Sequence, residues 1–148
     1  MKFAVGCDHA GFAAKKAVLE TLRAAGHEAV DLGTGGEQSV DYPDFALAVG
    51  RSVASGECPR GILVCGSGIG MAISANKVKG IRAALCWNVD IAKLSRQHND
   101  ANVLCLPGRF LAPEDVAAIV GAWTETAFEG GRHERRVQKI CEIENDRC

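Results

Sequence analysis

Short apolar runs alternate with amphipathic stretches along the chain. Five runs are as short as the buried strands of parallel sheets usually are. They predict strands at 3–6, 29–32, 61–65, 82–86 and 103–106. Because helical patterns lie between them, the sequence predicts a Rossmann-like, doubly wound α/β fold: a five-stranded parallel sheet with helices on both faces.

The helical stretches have recognisable ends. Gly26 and Gly56 close the first two, Asn88 can cap the fourth, and Pro113 opens the fifth. A short third helix is expected near 71–77, and a last helix follows a pair of glycines. The residues predicted to mark the inward faces are Phe12, Leu19, Leu22 and Ala25; Phe45, Val49 and Val53; Ile91 and Leu94; Val116, Ile119, Val120, Trp123 and Ala127; and Val137, Ile140 and Cys141.

Composition narrows the class of protein. With 148 residues, 47% hydrophobic and 24% charged, the chain is expected to form one globular domain spanning 1–148. A formal net charge of -1 gives no case for nucleic acid or an anionic membrane as partner. The N-terminus is not expected to be a signal peptide. Seven cysteines, an odd number with no CxxC pair, argue against a disulfide framework and a zinc site, and favour a cytoplasmic location.

Two motifs follow predicted strands at the edge of the sheet where such folds bind ligands. "GCDHAG" follows the first strand, and "CGSGIG" follows the third. The glycines at 66, 68 and 70 do not fit a dinucleotide fingerprint, because Met71 stands where its last glycine is needed. A cysteine-loop phosphatase would need arginine at the same position. We therefore expect the loop to hold a small phosphate or an oxyanion on its N–H groups.

Several residues near these motifs have both a structural and a chemical interpretation. Considered without its neighbours, a cysteine such as Cys65 is more often a buried core residue. The N–H groups of the following loop could nevertheless favour its thiolate. Asp8 could simply cap a helix, whereas His9 is placed to contact an anion. His98 ends the fourth helix, close to the amino end of the next strand, and so belongs to the edge opposite Cys65. A dimer could bring the two edges together.

Three arginines form a candidate phosphate clamp. Arg132 and Arg136 are four apart, on one face of the last helix, and Arg109 follows a glycine after the fifth strand. A solvated charge run is the usual explanation for such a cluster. Guanidinium groups without acidic partners can instead bind a phosphate in bidentate fashion.

Together these motifs resemble the type B ribose-5-phosphate isomerase family, which includes allose-6-phosphate and galactose-6-phosphate isomerases. The likeness runs from "GCDHAG" through "DYPDFA", "CGSGIGM", "ANK", "GIRAALC" and "LSRQHNDANVL" to "EGGRHERRV". It implies an aldose–ketose isomerase without metal or cofactor. It also implies a homodimer with active sites shared between subunits.

The resemblance assigns roles to individual residues. Cys65 matches the base that moves the carbon-bound proton, and His98 matches the residue that opens the sugar ring. Met71 stands where another branch of the family has glutamate, which places the chain in the cysteine branch. Ser67 replaces a common threonine and keeps the hydroxyl. The other matches are Asp8 and Tyr42 for the sugar; His9, Arg109, Arg132 and Arg136 for the phosphate; and Asn99 with the loop of Gly66, Ser67, Gly68, Ile69 and Gly70 for the anionic intermediate.

Three functions remain open at this point. The first is interconversion of ribose 5-phosphate and ribulose 5-phosphate through an enediolate. The second keeps this chemistry for a hexose 6-phosphate, either allose or galactose. The third is a sugar-phosphate-binding regulator without turnover, which would need neither Cys65 nor His98.

Overall fold

The computed structural model describes residues 1–145, which contain five strands and six helices. The last three positions of the expected 1–148 domain, including Cys148, lie outside the described residues. The strands are β1 Lys2–Cys7, β2 Glu28–Asp31, β3 Arg60–Cys65, β4 Ala83–Leu85 and β5 Val103–Pro107. The helices are α1 Phe12–Ala24, α2 Tyr42–Ala54, α3 Ile69–Ala75, α4 Val89–Asn99, α5 Pro113–Glu125 and α6 Arg132–Asn145.

All strand pairings are parallel, in the order β2-β1-β3-β5-β4. The chain runs outward from β1 to β2 and then returns across the sheet to β3. The boundary between β1 and β3 is therefore a switch point, where a crevice opens beyond the carboxyl ends of the strands. The predicted fold class is confirmed.

Alternating side chains of the sheet build two cores. On one face, β-strand residues pack against α1, α4 and α5, with Trp123 fully buried among them. On the other face, α2 and α3 cover a second cluster that includes Cys65 and Met71. Helix α6 lies outside these two layers and packs on α4.

The helix ends follow the expected chemistry. The Asn88 side chain caps α4, because its Oδ1 accepts a hydrogen bond from the Ile91 N–H at 2.8 Å. Gly26 and Gly56 follow α1 and α2 with φ of 74° and 80°, in the left-handed region that glycine adopts readily. Pro113 opens α5 as predicted. Within residues 1–145, no helix has the length and apolar character needed to cross a membrane.

Some predicted boundaries and inward faces are wrong. Strand β4 is shorter than 82–86, and α3 begins and ends two residues earlier than expected. Leu94 is 41% exposed, because α4 instead turns Arg96 inward, where its guanidinium binds Asp100 and the Ala101 carbonyl at 2.7 Å each. Ala127 lies beyond the end of α5, and Ala25 beyond the end of α1; both are exposed. In α6, Ile140 is exposed, Val137 and Cys141 are half-buried, and His133 is buried.

Candidate active site

The loop after β3 bends sharply and returns to the cysteine that ends the strand. Gly68 has φ of 74°, and a Cβ there would lie 2.4 Å from Leu85 Cδ1 and 3.0 Å from the Leu106 carbonyl carbon. Only glycine fits without displacing its neighbours. This turn brings the Gly68 N–H to 3.2 Å from Cys65 Sγ, to which it donates. The glycine loop is therefore shaped around the thiol.

Cys65 differs from Cys7, Cys86 and Cys105, the other buried cysteines in or next to the strands. Burial raises the pKa of Cys7 and of Cys86 to about 11, and it raises the pKa of Cys105 well above its usual value. These thiols stay protonated and fill the core. Cys65 is 4% exposed, lines a cleft and accepts a backbone N–H on its sulfur, so a ligand in the cleft can reach it. It is thus the cysteine in this sheet placed for chemistry.

The turn after β1 is fixed against β3. Gly11 packs so closely on β3 that a Cβ there would lie 2.2 Å from the Val64 carbonyl oxygen. Asp8 is 5% exposed, and its Oδ1 accepts the Gly11 N–H at 2.9 Å. Asp8 thus orders the turn that precedes α1 while lining the same cleft as Cys65.

His9 presents one ring nitrogen to the cleft. Its Nδ1 accepts a hydrogen bond from the Val40 N–H at 3.2 Å. The neutral ring therefore carries its proton on Nε2, which is free to donate to a ligand. Nε2 is therefore the ring atom available for the anion contact expected of His9, which stays a prediction.

Tyr42 and Arg109 close over the glycine loop from two sides. A Cβ on Gly70 would lie 2.6 Å from Tyr42 Cε2 and Cζ, so the ring rests on the loop. A Cβ on Gly66 would lie 3.2 Å from Arg109 Cδ and Nη1, and the Arg109 N–H donates to the Gly66 carbonyl at 3.1 Å. The resulting cleft has a volume of about 610 Å³. Its lining is Asp8, His9, Ala10, Tyr42, Cys65, Gly66, Ser67, Ile69, Gly70, Ile73, Arg109 and Phe110.

The remaining predicted site residues lie at the opposite edge of the sheet. His98 and Asn99 end α4 and lead to the amino end of β5, whereas Cys65 pairs with Pro107 at its carboxyl end. The four residue-to-residue steps from Val103 to Pro107 span ~13 Å along a parallel strand. One chain therefore presents two groups of site residues, one at each edge, as the chain direction predicts.

At the second edge, His98 belongs to a cluster that the sequence analysis missed. The His98 ring stacks on His133, with centroids 4.2 Å apart and planes 12° apart. Glu129 Oε2 lies 4.0 Å from His98 Nε2 and 3.8 Å from His133 Nε2. The i,i+4 spacing of Glu129 and His133 is visible in the sequence. Their contact with His98, more than thirty positions earlier, depends on the fold.

Positive charge surrounds this cluster. The pKa of His133 is lowered by desolvation and by the charges of His98, Arg132 and Arg136, which outweigh the opposing effect of Glu129. Among residues 1–145, no carboxylate forms an ion pair with Arg132, Arg136 or Arg109. These guanidinium groups can therefore bind an anion that approaches from outside the subunit.

The cluster also contains a possible metal-ligand set, since His98, Glu129 and His133 bring ligand atoms within 4.8 Å of one another. Its geometry does not suit a cation. Imidazole binds zinc in its ring plane at ~2.0–2.1 Å, and two nearly parallel stacked planes do not converge on one such point. The nearby arginines add repulsion. The arrangement fits proton transfer and anion binding better.

Sequence and structural comparisons show the family to which the chain belongs. The ribose/galactose isomerase family model matches residues 3–140. The chain belongs to this family. It is 47% identical over 146 residues to ribose-5-phosphate isomerase B of Escherichia coli, covering 99% of this chain and 98% of the relative. Ribose-5-phosphate isomerase B of Clostridium thermocellum superposes with a TM-score of 0.98 at 49% identity, covering 100% of both chains.

A third relative has a sugar phosphate bound. The crystal structure of ribose-5-phosphate isomerase B from Mycoplasma genitalium with ribulose 5-phosphate superposes with a TM-score of 0.93 at 41% identity. It covers 98% of this chain and 97% of the relative.

Proposed function

We propose that this chain is an aldose–ketose isomerase that interconverts ribose 5-phosphate and ribulose 5-phosphate. The observation that carries the proposal is the Cys65 thiol, held under the Gly68 N–H at 3.2 Å in a cleft that also contains Asp8, His9 and Arg109. The close similarity to ribose-5-phosphate isomerases supports this substrate. A regulator that only binds sugar phosphates has no need of a thiol in this position.

The cleft accounts for proton transfer between two sugar carbons. The Cys65 thiolate removes the C2 proton of the open aldose, and the electron pair moves through a C1–C2 double bond onto O1. The proton on O2 passes to O1, and the thiol returns a proton to C1, which leaves a ketone at C2. Backbone N–H groups of the loop stabilise the enediolate. Losing one such donor typically costs ~10²–10³ in rate.

The charged residues hold the phosphate end of the substrate. His9 and Arg109 face the cleft from the subunit that supplies Cys65. Arg132 and Arg136 would come from the partner subunit, since they lie at the other edge of the sheet together with His98. Phosphate binding fixes the reacting carbons beside the thiol. The active site we propose is therefore shared across a homodimer.

Ring opening requires a separate acid–base group. Ribose 5-phosphate in water is mostly a furanose, and opening it needs a proton on the ring oxygen and loss of the proton on O1. We assign this step to His98, whose ring is 38% exposed and therefore open to a substrate from the partner. Asp8 and Tyr42 would hold the sugar in the cleft, and Asn99 would complete the anion-binding groups from the second edge.

Initial rates with sugar phosphates test the proposal directly. We expect ketose to form rapidly from ribose 5-phosphate and more slowly from allose 6-phosphate and galactose 6-phosphate. Faster turnover of a hexose 6-phosphate would reassign the substrate within the family. Tight binding of ribose 5-phosphate without ketose formation would leave the regulator as the better interpretation.

We also propose that the reaction needs no metal, because a thiolate base and N–H donors supply its chemistry. Exhaustive chelation should leave the initial rate on ribose 5-phosphate unchanged. A rate that falls on chelation and returns when zinc or magnesium is added would contradict this mechanism.

A further inference from the structure

The environment of His98 suggests how its ring is held. His133 is 6% exposed and stacks on His98 with centroids 4.2 Å apart, so one face of the His98 ring is covered by a side chain that is itself packed. The His98 side chain remains 38% exposed. A ring that is covered on one face and open elsewhere has a defined plane and still reaches a substrate.

Backbone contacts fix Glu129 beside the same ring. The Glu129 N–H donates to the carbonyl of Gln97, the residue before His98, at 3.1 Å. After Glu129, the two glycines at 130 and 131 have φ of 65° and 58°. This left-handed turn starts α6, and the His133 N–H donates to the Gly130 carbonyl at 3.1 Å. Glu129 and His133 are thus placed on His98 by one turn of the main chain.

The charges of the cluster suit a histidine that gains and loses a proton. Glu129 Oε2 lies 4.0 Å from His98 Nε2. This distance is too long for a hydrogen bond, but it is short enough for the carboxylate to offset a positive charge on the His98 ring. The charges of Arg132 and Arg136 act on the neighbouring His133, and the Glu129 carboxylate opposes them. In the proposed function these arginines bind the phosphate, and Glu129 provides the counter-charge beside the histidine.

We propose that His133 and Glu129 are positioning residues for His98 in ring opening: the His133 ring sets the plane of the His98 imidazole, and the Glu129 carboxylate balances the charge that His98 gains when it takes a proton. This inference rests on the proposed function. Neither residue is expected to touch the sugar carbons or to contribute to proton transfer by Cys65.

The test compares a substrate that must be opened with one that is already open. Ribulose 5-phosphate cannot form a furanose, because the oxygen that would close the ring carries the phosphate. Deuterium exchange at its C1 in D₂O, followed by NMR, reports proton transfer by Cys65 alone. Conversion of ribose 5-phosphate reports ring opening and proton transfer together.

Glu129→Gln keeps the shape and removes the charge. We expect it to lower kcat for ribose 5-phosphate about tenfold, part of the ~10²–10⁴ that a positioned acid or base contributes. Exchange at C1 of ribulose 5-phosphate and inhibition by inorganic phosphate should stay at wild-type values. Glu134→Gln, the same charge change in the first turn of α6, is the matched control and should leave kcat unchanged.

His133→Phe keeps an aromatic ring on His98, whereas His133→Ala removes it. His133→Phe should therefore retain more ribose 5-phosphate turnover than His133→Ala. Equal losses in conversion and in C1 exchange, or wild-type kcat in Glu129→Gln and His133→Ala alike, would overturn the positioning role. Absence of ribose 5-phosphate turnover in the wild type would instead contradict the proposed function.

Discussion

Gly68 combines a left-handed backbone conformation with a hydrogen bond from its N–H to Cys65 Sγ. Its left-handed conformation costs most L-residues ~1–2 kcal/mol. An added Cβ would also meet Leu85 Cδ1 at 2.4 Å and the Leu106 carbonyl carbon at 3.0 Å. We expect Gly68→Ala to lower the free energy of unfolding by more than the conformational cost alone, and to lower kcat by displacing the N–H that faces Sγ. Chemical denaturation and initial rates measure the two effects.

Gly80 provides the control for Gly68. It has φ of 86°, and a Cβ there would meet nothing within 4 Å. Gly80→Ala should therefore show the conformational cost without the clash, and wild-type kcat. If Gly68→Ala is no less stable than Gly80→Ala, the tight packing around the loop is not significant for folding.

Cys65 and His98 can be separated by the choice of aldose. Erythrose 4-phosphate cannot close a furanose, because its terminal oxygen carries the phosphate, so it needs no ring opening. His98→Ala should impair its isomerisation much less than that of ribose 5-phosphate. Cys65→Ala should abolish both, because each reaction loses the C2 proton.

The measurement is the initial rate on both aldoses for the wild type and the two variants. Equal losses of initial rate on the two sugars in His98→Ala would contradict the assignment of ring opening to His98. Substantial turnover by Cys65→Ala would contradict the assignment of Cys65 as the base.

At the scale of single residues, sequence and structure differ in what they reveal. Cys65, Asp8 and His9 could be proposed from the sequence because each lies at or just beyond the end of an apolar run, and strand direction places run ends at one edge. Glu129 and His133 could not be assigned to His98, because their contact depends on how α6 docks on α4. No local pattern encodes that packing.

At the scale of elements, we propose that the exposed face of α6 carries the phosphate contacts. Arg132 and Arg136 are exposed and four residues apart. A hydrogen bond to a charged group is worth ~1.5–3 kcal/mol. Arg132→Ala and Arg136→Ala should each weaken binding of ribose 5-phosphate and of inorganic phosphate to a similar degree.

Arg135→Ala removes the same charge from another face of α6 and is the control. Competition by inorganic phosphate gives the inhibition constant for each variant. Unchanged inhibition constants for phosphate in Arg132→Ala and Arg136→Ala would show that neither arginine binds phosphate and that both belong to a solvated charge run.

The positions of the helices and strands were largely predictable from the sequence, whereas the face that each helix turns to the core was less predictable. Apolar runs located all five strands, because a buried parallel strand has few polar residues on either face. The rotation of α4 was predicted wrongly at Leu94. Arg96 is buried there through bonds to Asp100, to the Ala101 carbonyl and to the Thr126 carbonyl, and a hydrophobicity pattern does not anticipate a buried guanidinium.

At the scale of the whole molecule, the parallel sheet separates the two groups of site residues. Cys65 ends β3 at the carboxyl edge, and His98 precedes β5 at the amino edge. Parallel pairing of β3 with β5 makes this separation unavoidable within one subunit. The proposed chemistry therefore requires that the amino edge of one copy meets the carboxyl edge of another.

A symmetric dimer of this kind predicts complementation between inactive variants. In a mixed dimer of Cys65→Ala and His98→Ala, one site receives the intact Cys65 of one chain and the intact His98 of the other, while the second site lacks both. Random exchange makes half the dimers mixed, and one of their two sites is active, so about a quarter of wild-type activity should return. Mass spectrometry of differently tagged chains establishes exchange, and initial rates on ribose 5-phosphate are measured on the same samples. Each variant alone, taken through the same exchange procedure, is the control and should stay inactive. Demonstrated exchange without recovered activity would show that Cys65 and His98 do not act together across a subunit boundary.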